Sequence, residues 1–331
     1  MSKKIIAIAS GDWHLNKFRQ FNTPNMSRLD WGMKMVKEIG AVCKLYGNVP
    51  HLFTGDLIHN PKEVENEVIS RFLNVYGKVF DRENIRFIGI SGNHDLSEKN
   101  TGDHKSPSYM NGMKSFDTIE VLDHHTKGVV INGNVKVYGI PYMNNDYDLV
   151  RMVKKYTKYR NEFPMLKSIL ILHSDFPGAK TPEGYEVAET EYIPRDLDKF
   201  FRDWDLVLCG HIHKKQRLSK KVYMLGSPIQ LDAGQEGEEC GYWEIYEDLS
   251  LKFIELKNYP KFITLKFGEK SKQDINFYIE KRATKEDNLV SNTEFILSNT
   301  RIQLAKNYCK VKGIKDKAKK RALIKVLNNT E

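Results

Sequence analysis

No run in the 331 residues approaches the roughly 20 consecutive apolar residues that a bilayer span requires, so no membrane-crossing helix is expected. A secretory leader is not expected either. The apolar run at 5–9 follows Met1-Ser2-Lys3-Lys4, is too short for an h-region, lacks a cleavage site and leads directly into Gly11-Asp12. Cysteine is scarce. Cys43, Cys209, Cys240 and Cys309 are widely separated and form no C-x-x-C pair, so reduced thiols in a cytoplasmic protein are expected. Repeats and low-complexity tracts are also missing. What remains has 40% hydrophobic and 29% charged residues, enough apolar material for a full-sized core.

Charge is unevenly spread. The net charge is +9, yet residues 251–331 hold 19 Lys/Arg against 9 Asp/Glu, leaving 33 against 34 for residues 1–250. The basicity belongs to the C-terminal quarter. It suits an acidic partner such as nucleic acid, or equally a solvated lysine-rich tail.

The first hundred residues alternate strand and helix. Residues 5–9, 52–54 and 85–90 are short apolar runs of the kind buried on both faces. Between them, 28–46 and 62–80 carry apolar residues at helical spacing. Further on, 129–140 reads as a hairpin turned by Asn132-Gly133, 146–160 as a helix, and 168–172 and 205–209 as strands. Short strands at 222–225, 242–246 and 251–256 follow. The fold class expected is α/β, a four-layer α/β/β/α sandwich over residues 1–258. Tyr259-Pro260-Lys261 marks a boundary, and residues 259–331 form a small basic α+β appendage. Within it, 262–267 and 276–281 read as strands and 287–309 and 315–328 as helices. The last of these carries Ala318, Leu323, Ile324 and Leu327 as an apolar stripe beside its lysines.

Five polar clusters fall at the C-terminal ends of the apolar runs, where α/β sheets place their ligands. They are Asp12-Trp13-His14, Gly55-Asp56-Leu57-Ile58-His59, Gly92-Asn93-His94-Asp95, His173 and Gly210-His211-Ile212-His213. Asp-x-His and His-x-His suit metal binding because residues i and i+2 of a strand project to one side and converge past its end. Two cations sharing a carboxylate lower the pKa of a water and clamp phosphoryl oxygens, which is the chemistry of phosphate-ester hydrolysis. Imidazole, carboxylate and amide donors together argue against calcium and against an all-magnesium site.

In order and spacing these clusters resemble the calcineurin-like metallophosphoesterases. The resemblance implies two divalent ions, usually Mn2+. One would take Asp12, His14, Asp56 and His213, and the other Asp56, Asn93, His173 and His211. It makes His94 the group that stabilises the transition state and protonates the leaving oxygen, with Asp95 orienting it. His59 would contact either the scissile phosphate or the catalytic histidine. Within the superfamily, Leu57-Ile58-His59 after Asp56, Asp95 in the third motif, and Gly226-Ser227-Pro228 followed by Glu236, Glu239 and Gly241-Tyr242 resemble the SbcD-type DNA repair nucleases, which include short phage forms. That branch implies DNA as substrate and an SMC-like SbcC-type ATPase as partner. It also implies homodimerisation through residues near 62–80 and 107–115, and residence in the host cytoplasm if phage-encoded.

Lys17, Arg19, Lys214 and Lys215 directly follow ligand motifs and are candidate contacts to the phosphates of DNA. Trp13 is expected to pack beneath the site, and His124-His125 to lie in a surface turn. Two rival readings are a phosphodiesterase or phosphatase acting on a small nucleotide or phosphoprotein, and a catalytically silent scaffold.

Overall fold

Ala7 and Ala9 face one apolar layer while Ile8 between them faces another, the period-two alternation of a strand, which is interrupted by a register shift between Ile5 and Ala7. Such two-sided burial recurs along the strands of two six-stranded sheets. The computed structural model describes residues 3–23, 25–60, 65–97, 107–265 and 278–281. The chain divides into two compact units, Met1–Ile263 with Gln273–Tyr278, and Thr264–Lys272 with Ile279–Glu331. Both large sheets and their covering helices lie in the first.

In chain order the elements begin with β1 (Ile5–Ser10), α1 (Arg28–Leu45), β2 (His51–Phe53), α2 (Asn66–Tyr76), β3 (Phe87–Gly89), α3 (Tyr109–Gly112) and β4 (Ile119–Val121). Next come β5 (Val129–Ile131), β6 (Val135–Ile140), α4 (Asp146–Asn161), β7 (Lys167–His173), α5 (Leu197–Phe200), β8 (Leu206–Gly210), β9 (Gln216–Arg217), β10 (Val222–Met224), β11 (Gly241–Tyr246) and β12 (Leu251–Glu255). The first sheet has the order β12-β11-β1-β2-β3-β4, with β1 to β4 parallel. The second runs β5-β6-β7-β8-β10-β9, with β6, β7, β8 and β10 parallel and antiparallel strands at both edges. Two further strands, β13 (Phe262–Leu265) and β14 (Tyr278–Lys281), pair with each other.

Three apolar layers make the sandwich. Leu52, Ile88, Val137, Ile169, Ile171 and Leu208 lie between the sheets. Met33, Val36 and Ile39 of α1 and Phe72 of α2 cover the outer face of the first sheet. Leu149, Met152 and Val153 of α4 cover that of the second. This is the α/β/β/α arrangement that the alternation implies. Helix α1 starts at a capping box in which Ser27 Oγ accepts from Asp30 N and the Asp30 carboxylate accepts from Ser27 N. Asn132 and Gly133, at φ 46° and 72°, turn the β5–β6 hairpin.

Some expectations need correction. The run expected as helix over 62–80 is α2 from Asn66, and at Gly77–Asp81 it loosens into a π turn. Strands β4 and β9, of three and two residues, carry too little pattern to be read from sequence. His124 is buried at 5% exposure rather than placed at the surface, while His125 is exposed. The helices expected at 287–309 and 315–328 lie outside the described residues.

Candidate metal centre

The clusters meet because the sheet ladder continues past the strand ends. Asp12 N donates to Gly55 O at 2.8 Å, His14 N to Asp56 O at 3.0 Å and Leu15 N to Leu57 O at 2.9 Å, so the two loops run side by side beyond β1 and β2. Asp12, His14, Asp56 and His211 have φ of 52°, 42°, 60° and 93°. Each such backbone costs on the order of 1–3 kcal/mol for a non-glycine residue and persists only where the surroundings enforce it. The loops also touch. A Cβ on Gly92 would lie 2.1 Å from Asp56 Oδ1, so only glycine admits that carboxylate.

The side chains converge from five loops. His14 Nε2 lies 3.1 Å from His213 Nε2 and 3.3 Å from Asp56 Oδ2. On the other side of that carboxylate, His173 Nε2 is 3.3 Å from the same Oδ2. Asn93 Oδ1 sits 2.9 Å from His173 Nε2 and 3.0 Å from His211 Nδ1. His213 Nε2 is 4.0 Å from Asp12 Oδ1, which accepts from His211 N at 2.9 Å. Asp56 thus stands between a group of Asp12, His14 and His213 and a group of Asn93, His173 and His211. His173 is held by its Nδ1–H, which donates to Thr54 O at 2.7 Å.

Charge is poorly balanced in this cluster. Burial pushes the Asp12 carboxyl up to about 7 and the His213 and His211 rings down to about 3 and about 4. His14 is lowered for the same reason. Burial alone would raise Asp56, but the facing imidazoles of His173 and His14 hold it well below the usual carboxylate range. Burial alone would lower His173, but Asp56 lifts it to about 9. His173 Nε2 thus faces both Asp56 Oδ2 and Asn93 Oδ1. Asp12 Oδ2 is buried with no hydrogen-bond partner. Lone pairs that face one another with too few protons fit divalent cations, and the nitrogen and oxygen donor mix fits a first-row transition metal.

His94 borders this cluster. Its ring centroid is 4.6 Å from that of His14, and its Nδ1–H donates to the carbonyl of His59. The His59 ring stacks on it at 5.2 Å, lies with Nδ1 3.3 Å from His14 Nδ1, and is pushed down to about 4 by burial. Asp95 does not touch the His94 ring in the manner expected of an orienting carboxylate. It is fully buried and accepts from the backbone N–H of Asp56, Leu57, Ile58 and Gly92, at 2.8, 2.9, 3.3 and 2.9 Å. It clamps the second and third motifs together, and the carbonyl of His59 orients His94.

Trp13 lies under the site, 1% exposed, with Nε1–H donating to Ser10 Oγ at 2.9 Å. The cationic candidates are largely neutralised. Lys17 pairs with Glu65 and Glu67, Lys214 with Glu238, and Lys215 with Glu239 at 3.0 Å. Arg19 is exposed. A cleft of about 310 Å³ opens beside His211 and His213, lined also by Asp175, Thr181, Glu183 and Asp232. The sequence reading missed this acidic lining, the carbonyls of Thr54 and His59, and Tyr142, whose ring lies 5.8 Å from that of His211.

A profile of the calcineurin-like phosphoesterases matches residues 8–215. Protein R555 of Acanthamoeba polyphaga mimivirus is 29% identical over 223 residues, 65% of this chain and 16% of that protein. Proteins 078R of invertebrate iridescent virus 3 and 244L of invertebrate iridescent virus 6 carry a phosphoesterase name without an assigned substrate. Each is 26% identical over 187 residues, 56% of this chain and 48% and 60% of the respective proteins. This chain therefore spans less than two thirds of each of these relatives.

Among solved structures, the calcineurin-like phosphoesterase YfkN from Bacillus subtilis aligns with a TM-score of 0.39 at 13% identity, over 75% of this chain and 87% of that one. The 5'-nucleotidase from Candida albicans SC5314 aligns with a TM-score of 0.39 at 12% identity, over 78% of this chain and 53% of that one. Scores this low carry no argument about chemistry. The profile match spans more than half of the chain and takes in all seven converging donors and His94, so the chain belongs to the calcineurin-like phosphoesterase family.

Proposed function

We propose that this protein is a DNA nuclease that hydrolyses phosphodiester bonds with two divalent ions, Mn2+ by donor chemistry. The observation that carries phosphoester hydrolysis is the placement of Asp56 between two sets of donors, with His94 at their edge. Asp12, His14, Asp56 and His213 would hold one ion, and Asp56, Asn93, His173 and His211 the other. Bound there, the ions supply neutralisation of phosphoryl charge and a lowered pKa for water. The chain's own part is to hold these donors in place and to manage one proton. With His94 Nδ1–H committed to the His59 carbonyl, its Nε2 is the atom left to deliver a proton to the departing oxygen.

DNA as substrate rests on the SbcD-like Gly226-Ser227-Pro228 segment and on the basic residues 259–331. In this reading residues 1–258 are the nuclease domain, and residues 259–331 bind DNA or an SbcC-type ATPase in the cytoplasm. No helix among the described residues is long and apolar enough to cross a membrane. An apolar cleft of about 230 Å³ lined by Ile69, Phe72, Leu73, Tyr109, Met113 and Phe116 supports a homodimer contact through α2 and α3.

One observation favours the second reading, a small phosphodiester as substrate. The cleft beside His211 carries three carboxylates, and Lys17, Lys214 and Lys215 are already paired, so this face offers an extended polyanion little net attraction. With Mn2+, and with an SbcC-type ATPase added, end-labelled linear duplex DNA should be degraded. Turnover of a small chromogenic phosphodiester with undetectable DNA cleavage would select the small-substrate reading instead.

A further inference from the structure

The ligand His213 has a support that the catalytic description does not use. Its backbone carbonyl accepts two hydrogen bonds, from Ser227 N at 3.1 Å and from the Gln235 amide Nε2 at 3.2 Å. Gly226, at φ 73°, lets this segment approach closely, since a Cβ there would lie 2.6 Å from Lys215 N and 3.1 Å from His213 O. Gln235 is 0% exposed. Its Nε2 also donates to Ser227 Oγ at 2.7 Å, and its Oε1 accepts from Leu231 N at 2.7 Å. A second buried amide, Gln230 at 2% exposure, continues the chain of contacts. Gln230 Nε2 donates to Gln235 O at 2.8 Å and Glu238 O at 3.1 Å, and its Oε1 accepts from Phe262 N at 2.7 Å.

Burying an amide costs about 1–3 kcal/mol unless its hydrogen bonds are replaced. Here both amides are satisfied, so the arrangement is specific rather than merely tolerated. The contacts run from the carbonyl of a candidate ligand to the backbone of β13, two residues before the second compact unit begins at Thr264. An apolar side chain in place of Gln235 would fill the same space but would leave the His213 carbonyl held by Ser227 N alone.

We propose that Gln235 is a positioning residue for His213, and that Gln230 ties the same ligand to the backbone at Phe262. The inference rests on the metal-centre reading. It assigns the support to the ion held by Asp12, His14 and His213, not to the ion held by Asn93, His173 and His211. Whatever shifts the chain at Phe262 would then change affinity at one of the two sites.

The test is a Mn2+ titration followed by calorimetry and by the signal of free Mn2+ in electron paramagnetic resonance. Wild type should take two ions. Gln235→Met should weaken one of them about 10-fold, the lower end for loss of a group that orients a metal ligand, and leave the other unchanged. In a double-mutant cycle, adding Gln235→Met to His213→Ala should cause no further loss. Should Gln235→Met not fold, Ser227→Ala removes one acceptor of the amide, the Ser227 hydroxyl, and should produce a smaller loss at the same site. Two ions bound with wild-type affinity in the foldable variant, or losses that add in full with His213→Ala, would overturn the proposal. Absence of Mn2+ binding by wild type would instead overturn the metal centre on which it depends.

Discussion

Two adjacent residues, His94 and Asp95, divide the work of the third motif in a way that their shared position conceals. His94 reaches the cluster edge with one ring nitrogen on the His59 carbonyl, whereas Asp95 turns inward to four backbone N–H groups. Their substitutions should therefore fail differently. His94→Gln should lower turnover by roughly 100-fold or more, the scale of a lost general acid, while Mn2+ affinity and thermal stability stay close to wild type. Asp95→Ala strips the acceptor from four buried donors and should destabilise by several times the roughly 1–3 kcal/mol of one unsatisfied group. Urea unfolding and Mn2+ titration of both variants check this. Equal loss of stability in the two would contradict the division.

At the scale of elements, the motifs were legible because each is contiguous and sits where an apolar run ends. Asp12 and His14 follow β1, Asp56 follows β2, Asn93 follows β3, His173 closes β7, and His211 and His213 follow β8. The strand alternation that builds the sandwich was equally visible. What stayed hidden depends on backbone groups or on distant partners. The carbonyls of Thr54 and His59 carry no side-chain signal, and Lys214 and Glu238 meet only after the chain has folded. His124 read as a surface residue because nothing local shows that this turn is covered.

Strand β2 gives this scale its prediction. His51 is fully buried among Trp13, Phe53, Phe80 and Phe87, with Nε2 2.9 Å from Ser10 Oγ. Burial pushes its pKa from 6.5 down to about 3, so between those values the unfolded chain binds the proton and the folded one does not. Stability from this group is complete above pH 6.5 and is lost as pH falls toward 3, at a limiting slope of about 1.4 kcal/mol per pH unit. His51→Phe removes that slope. Unfolding free energies measured in chelator from pH 7 to pH 4 should show the wild type losing ground to the variant as pH falls. A constant difference would contradict the assignment.

Across the whole molecule, the parallel strands of two mixed sheets aim their C-terminal ends at one place. The strained backbone at Asp12, His14, Asp56 and His211 is the cost of that convergence. A cation bound only by the folded chain returns stability by mass action, about 2.7 kcal/mol at a free concentration 100 times its dissociation constant. The claim beneath all the others is that seven side chains hold two cations across Asp56, and anomalous diffraction from crystals grown with Mn2+ measures it directly. The expected map has two peaks, one contacted by Asp12, His14, Asp56 and His213 and the other by Asp56, Asn93, His173 and His211. A map at saturating Mn2+ with no peak at this cluster, or with peaks only elsewhere on the protein, would contradict it.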